Sequence, residues 1–225
     1  MEFKEIKEKI KSFVKKEIIA LEPWILNSDW SDKLPKLNQI REKVRANKLW
    51  LPQISKQYGG LGLNNEQFGE ISEILGASPY GHYCFNCQAP DAGNMEILIE
   101  CGSDNQKEQY LYPLLEGKIR SCFAMTEPDF AGSNPTKMGT FATKKGNDYI
   151  INGHKWFTSG FDGSSFAIVM LITNPNADNP HKRASQIIVP TDNKGLEFVR
   201  NVSVMGHSGS GWESHAEIKF NDAVV

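Results

Sequence analysis

The feature that most constrains this chain is a change of hydrophobic period near Gly117. Before it, apolar residues recur at helical spacing. Phe3, Ile6, Ile10, Phe13 and Val14 share one face of a predicted helix that Pro23 should stop. Leu37, Ile40, Val44 and Leu49 form a second apolar face. Phe68, Ile71, Ile74 and Leu75 form a third, entered from Asn64-Asn65 and left at Gly76. Met95, Leu98 and Ile99 form a fourth, with Gly102 as its C-cap. Ser103 and Gln106 have capping-box spacing and open a fifth through Leu111, Leu114 and Leu115, strained by Pro113 near its end.

After residue 120 the period becomes two. Met138, Thr140 and Ala142 alternate, Lys145 to Asp148 is a turn, and Tyr149 to Ile151 resumes a strand, which predicts a hairpin. Residues 166–172, 186–190, 196–204 and 215–220 read as further strands, and Asn174 to Arg183 as a polar loop. Helices first and strands second predict an α+β protein. An all-α helical domain over 1–117 would precede a β-barrel or sandwich-like domain over 118–225.

Composition narrows the function. A formal net charge of −2 leaves no basic footprint for nucleic acid. No apolar run approaches the roughly 18 residues of a membrane span. The N-terminus, MEFKEIKEKIKSFVKKEI, has neither an apolar signal core nor the acid-poor pattern of a transit peptide. A cytoplasmic protein is expected, with the mitochondrial matrix or peroxisome open for a eukaryotic source. The four cysteines have no framework spacing, which fits a reducing compartment.

Several motifs fail on inspection. Gly206-His-Ser-Gly-Ser-Gly211 lacks a P-loop lysine, and Tyr58-Gly-Gly-Leu-Gly62 lacks dinucleotide-binding spacing. Cys84-Phe-Asn-Cys87 has no second cysteine pair to complete a zinc site, so structural cysteines are expected and no metal. The five histidines are scattered, and there is no Gly-x-Ser-x-Gly elbow.

Residues 122–134, CFAMTEPDFAGSN, carry a different signal. A strand Phe123-Ala124-Met125-Thr126 offers backbone amides and a hydroxyl. Pro128 ends the ladder because it has no N–H. Gly132 and Ser133 permit close backbone approach and add a donor. Trp156-Phe157-Thr158 could bring an indole face and a second hydroxyl from a neighbouring strand. A flavin needs donors along its ring edge, an aromatic wall and close N–H groups for its phosphates. The plainer reading is a strand, a proline turn and a buried tryptophan, and the residues alone favour it.

The chain also resembles the acyl-CoA dehydrogenase family from near its start to its last residue. The resemblance rests on Phe123 to Ser133, on Ile151-Asn-Gly-His-Lys-Trp-Phe-Thr158, and on Leu51-Pro with Tyr58 to Gly62. Gln106-Lys and Tyr112-Pro-Leu-Leu-Glu-Gly117 support it. Cys87 to Met95 is similar to one branch of the family in particular, the animal members whose relatives act on branched or very long acyl chains. The resemblance implies FAD as cofactor. Phe123, Ala124, Met125 and Thr126 would line the flavin ring, with Thr126 near its polar edge. Gly132 and Ser133 would meet the cofactor, and Ser133 also the acyl-CoA. Trp156 would cover a flavin face, Phe157 would also touch the cofactor, and Thr158 would bond near the hydride-accepting nitrogen.

The implied reaction is α,β-dehydrogenation of an acyl-CoA in fatty acid β-oxidation. A carboxylate takes the α proton, the flavin takes the β hydrogen as hydride, and an electron-transferring flavoprotein accepts the electrons. The family base lies in a C-terminal helical domain that has no counterpart here, so no catalytic residue is expected in this chain. Glu127, before a proline, is expected to fix its loop. The resemblance therefore implies a truncated form or fragment of a homo-oligomeric enzyme. One half of a split enzyme, or a non-catalytic acyl-CoA-, flavin- or protein-binding remnant, are the alternatives.

Overall fold

Helices fill the first half of the chain and strands the second, as the change of period predicts. The computed structural model describes residues 2–225, in two compact units that divide between Met95 and Glu96.

In the first unit, α1 (Phe3–Phe13) buries Ile6, Ile10 and Phe13. The helical path does not stop at Pro23. It widens into a π turn over Val14–Ile18, tightens over Ile19–Leu21 and continues as α2 (Glu22–Ile25). Pro23 sits in the first turn of α2, where a missing N–H forfeits no helical bond. Asn27 Nδ2 and Ser28 Oγ donate to the Pro23 and Trp24 carbonyls at 2.8 Å each and end that run. Next comes α3 (Trp30–Ala46), with Leu37, Ile40 and Val44 buried. Asn64 and Gln67 form the capping box of α4 (Asn65–Leu75). After α5 (Gly81–Cys84), both Cys84 and Cys87 are buried. Burial pushes the Cys84 thiol up to about 12 and the Cys87 thiol up as well. Both are inert as nucleophiles at neutral pH.

The α6 helix (Asp91–Cys101) is followed by α7 (Asp104–Gln106), a π turn over Lys107–Leu111 and α8 (Tyr112–Leu115). The single helix predicted from Ser103 thus widens just ahead of Pro113, and Pro113 falls in the first turn of α8. That placement relieves the strain expected there.

The rest of the second unit is a curled mixed sheet of seven strands. They are β1 (Ser121–Ala124), β2 (Phe141–Lys145), β3 (Asp148–Ser159), β4 (Phe166–Ile172), β5 (Ala184–Pro190), β6 (Leu196–Asn201) and β7 (His215–Val224). The spatial order is β1-β4-β2-β3-β7-β6, with β5 also on β4. The predicted hairpin is β2–β3, in register from Lys145↔Asp148 to Phe141↔Asn152. Gly146 takes a left-handed φ of 66° in its turn. One sheet face carries the core: Cys122 and Ala124, Ala167, Val169 and Leu171, and Ala216, Ile218 and Phe220, each set at period two. Phe166 and Ile168 on the other face of β4 are buried as well, and the Tyr110 ring lies 4.8 Å from that of Phe166. This two-sided burial explains the unbroken apolar run of β4.

One topological detail positions everything that follows. The whole of β5 occupies one edge of β4. Both β1, parallel over Phe166–Val169, and β2, parallel at Ile172, pair with β4. They must therefore share its other edge, one after the other. Residues 125–140 leave that row of the sheet and re-enter it.

Candidate functional site

The excursion from the sheet row is held at its neck. Met125 and Thr126 lie beyond the end of β1, but Thr126 O still accepts the Trp156 N–H of β3 at 3.0 Å. At the returning end, Thr140 O accepts the Ile172 N–H at 2.9 Å. Between them sits Glu127, 4% exposed. One of its carboxylate oxygens accepts the Gly139 N–H at 2.5 Å, the other the Thr140 N–H at 2.9 Å. Glu127 fixes its loop, and the partners are now defined.

The counter-charge is Lys155, with no exposed surface. Its Nζ donates to Glu127 Oε1 and to the Met125 carbonyl, both at 2.8 Å. Burial alone would raise the Glu127 pKa. The bonds from the Gly139 N–H, Lys155 and the Thr140 N–H outweigh it and hold the carboxyl below its ordinary value. Burial pulls Lys155 below the ordinary lysine value, against the opposing pull of Glu127. Removing either partner would strand the other charge in the interior.

A register shift in β3 sets the side chains beside this pair. The pairing with β7 slips between Lys155 and Thr158. Lys155 and Thr158, three apart, are therefore both fully buried, where plain alternation would separate them. Phe157 absorbs the extra residue at φ 50°, a left-handed conformation costly for an aromatic residue, and its ring is 39% exposed. The Trp156 and Phe157 rings meet edge to face at 4.8 Å.

Three side-chain polar atoms here are buried and have no hydrogen-bond partner among the described residues: Thr140 Oγ1, Thr158 Oγ1 and Trp156 Nε1. Thr140 Oγ1 lies against Gly153 beside the Glu127 carboxylate. Buried polar groups are nearly always bonded, which leaves Thr158 Oγ1 and Trp156 Nε1 to be accounted for. Gly132 packs on Thr126. A Cβ built on Gly132 would lie 2.9 Å from Thr126 Cγ2.

The structure thus gathers Phe123 to Thr126, Gly132 and Trp156 through direct contacts. Thr158 lies two residues along β3 from Trp156, with its hydroxyl unpartnered. Ser133 is exposed on the excursion. Sequence reasoning missed Lys155, Gly139 and Thr140, which hold the neck. The available signal was a lysine in strand 149–158, flanked by the apolar pairs Ile150-Ile151 and Trp156-Phe157. Next to the neck, a cavity of about 640 Å³ is lined by Thr136, Met138, Gly139, Phe141, Lys144 and Arg183 among others, and by no carboxylate. Among the described residues no cluster of three His, Cys, Asp or Glu could hold a metal, and no helix is long and apolar enough to cross a membrane.

The chain superposes over 99% of its length on 58% of an acyl-CoA dehydrogenase-type structure from Mycobacterium abscessus, with a TM-score of 0.91 and 33% identity. It shares its fold with glutaryl-CoA dehydrogenase from Mycobacterium smegmatis, solved in complex with FADH2. There the TM-score is 0.75 at 23% identity, over 99% of this chain and 53% of that one. Family models match the acyl-CoA dehydrogenase N-terminal domain over residues 1–118 and the middle domain over residues 122–223. Mouse acyl-CoA dehydrogenase family member 10 is 38% identical over 97% of this chain and 21% of its own length. Family member 11 of Gallus gallus is 39% identical over 98% of this chain and 29% of its own. The chain belongs to the acyl-CoA dehydrogenase family, a family of FAD-binding oxidoreductases. It spans less than a third of the length of these two relatives.

Proposed function

We propose that these residues form the flavin-holding part of an FAD-dependent acyl-CoA dehydrogenase. The observation that carries the reading is the unpartnered hydroxyl of Thr158, fully buried, two residues from the unpartnered indole N–H of Trp156. Both suit the polar periphery of an isoalloxazine. Phe123, Ala124, Met125 and Thr126 line its edge, Trp156 and Phe157 cover a face, and Gly132 and Ser133 approach the phosphates. FAD, when bound, supplies the hydride acceptor. The residues of this chain bind and orient it, and exclude water from one side.

The cavity beside the neck suits the other reactant. It combines apolar Met138, Phe141 and Ile172 with the cations Lys144 and Arg183, which fits a thioester of a phosphorylated carrier; Ser133, on the same excursion, would also meet it. Glu127 is committed to Gly139, Thr140 and Lys155, so it does not take the α proton. That base comes from outside the residues matched here, from a C-terminal family domain either fused or separate, within a homo-oligomer. An electron-transferring flavoprotein reoxidises the cofactor.

The test is a titration of the purified chain with FAD, followed by flavin absorption, on the parent and on Trp156→Ala and Thr126→Val. Both variants should bind more weakly. The chain alone, given acyl-CoA and an electron acceptor, should show no turnover. Equal affinity in parent and variants would remove the placement of the ring, and steady acceptor reduction would remove the assignment of the base.

A further inference from the structure

Lys155 does more than neutralise Glu127. Its ammonium also bonds the Met125 carbonyl at 2.8 Å. That carbonyl belongs to the same peptide group as the Thr126 N–H, and the peptide is trans, since the one cis bond among the described residues is Ala89–Pro90. In a trans peptide the N–H points away from the C=O. A cation on the carbonyl therefore aims the Thr126 N–H in the opposite direction. It also polarises the N–H, because hydrogen bonds in series strengthen one another. Among the described residues nothing accepts that N–H. The adjoining peptide is fixed independently, by the bond from the Trp156 N–H to Thr126 O. The Glu127 carboxylate, needed by two backbone N–H groups, accounts for a buried cation here. It does not account for the second bond of that cation, to the Met125 carbonyl, which acts on the next peptide.

We propose that Lys155 is a positioning residue. Held against the Met125 carbonyl, it presents the Thr126 N–H as a strengthened donor to the polar edge of a bound flavin. The proposal rests on the flavin reading above, and the experiment separates the two. Met125-Thr126 is the sole Met-Thr step in the chain. Labelling methionine carbonyl carbons with ¹³C and threonine nitrogens with ¹⁵N therefore isolates this one peptide in an NMR spectrum.

The chain without flavin is compared with Lys155→Met and with Lys155→Met/Glu127→Gln, which leaves no unpaired buried charge. The Thr126 amide proton should move upfield in both variants. FAD affinity should fall about tenfold, the worth of one strong hydrogen bond, while in the double variant whichever of the Gly139 and Thr140 amides keeps the remaining side-chain oxygen as acceptor stays protected from exchange. An unmoved Thr126 amide in either folded variant, or unchanged FAD affinity, overturns the proposal. If the parent itself binds no FAD, the flavin reading fails, and the amide shift still decides what Lys155 does. Should neither variant fold, the infrared band of the ¹³C-labelled Met125 carbonyl in the parent decides. A charged donor lowers its frequency, and an ordinary frequency refutes the bond.

Discussion

Thr158→Val should push two measurements in opposite directions. The Thr158 side chain is fully buried and its hydroxyl has no partner among the described residues. An unbonded hydroxyl in the interior costs about 1–3 kcal/mol. Valine keeps the branched shape and β preference and removes the hydroxyl. The FAD-free chain should therefore gain about 1–2 kcal/mol, and its thermal transition should rise by about 2–4 °C for each kcal/mol in a chain of this size.

With FAD the sign reverses. A hydroxyl that bonds the cofactor contributes about 1 kcal/mol net, so its loss should weaken binding roughly fivefold. The stabilisation conferred by a fixed excess of FAD should shrink accordingly. Thermal melts of parent and variant across an FAD series test both halves. Had the hydroxyl an unseen partner within the chain, valine would lower the FAD-free transition. Had it no role at the cofactor, the transition would rise equally at every FAD concentration. Either result refutes the argument that the orphaned hydroxyl awaits a ligand.

The neck of the excursion yields two more predictions. Glu127→Ala strands the Lys155 ammonium and should cost about 3–5 kcal/mol, read by denaturant unfolding at neutral pH; a loss under 1 kcal/mol would mean that the pair is not closed. The Glu127 pKa is lowered by folding, so its stabilisation is complete above the unfolded value and is lost as pH falls through the folded one. The parent should accordingly lose stability on acidification below about pH 4.5, and Glu127→Gln should flatten that fall. Gly153→Ala should destabilise the chain by more than about 2 kcal/mol. Its φ is 153°, and a Cβ there would lie 2.3 Å from Thr140 Oγ1 and 2.6 Å from Thr140 Cα. A neutral Gly153→Ala would show that Thr140 is not packed against β3.

The fold class was legible because period is a local property. The 3.6-residue pattern of Ile6, Ile10 and Phe13 and the twofold pattern of β7 each report the face a segment buries. What stayed hidden depends on register and on which edge a strand takes. Pro23 reads as a stop in any local rule, yet the chain uses it to begin a new turn. Thr126 and Trp156 each stood out in the sequence, but their hydrogen bond follows from β1 and β2 sharing one edge of β4. The β3 slip that buries both Lys155 and Thr158 leaves no sequence mark beyond a lysine directly before Trp156-Phe157.

That slip and the interrupted row are parts of one device. A continuous strand from β1 to β2 would satisfy its backbone against β3 and β4, with no amide left for a ligand. Lifting residues 125–140 out of the row releases backbone groups at Thr126, at the cost of an open neck in the sheet. Gly139 and Thr140 re-enter there with N–H groups that need acceptors, and the Glu127 carboxylate supplies both. A carboxylate so deeply buried requires a cation, and the bulge in β3 turns Lys155 inward to provide it. The same bulge turns Thr158 inward and leaves Phe157 exposed at a strained φ. The buried charges, the strain and the inward-turned Thr158 hydroxyl therefore share one cause, the opening of the sheet row between β1 and β2.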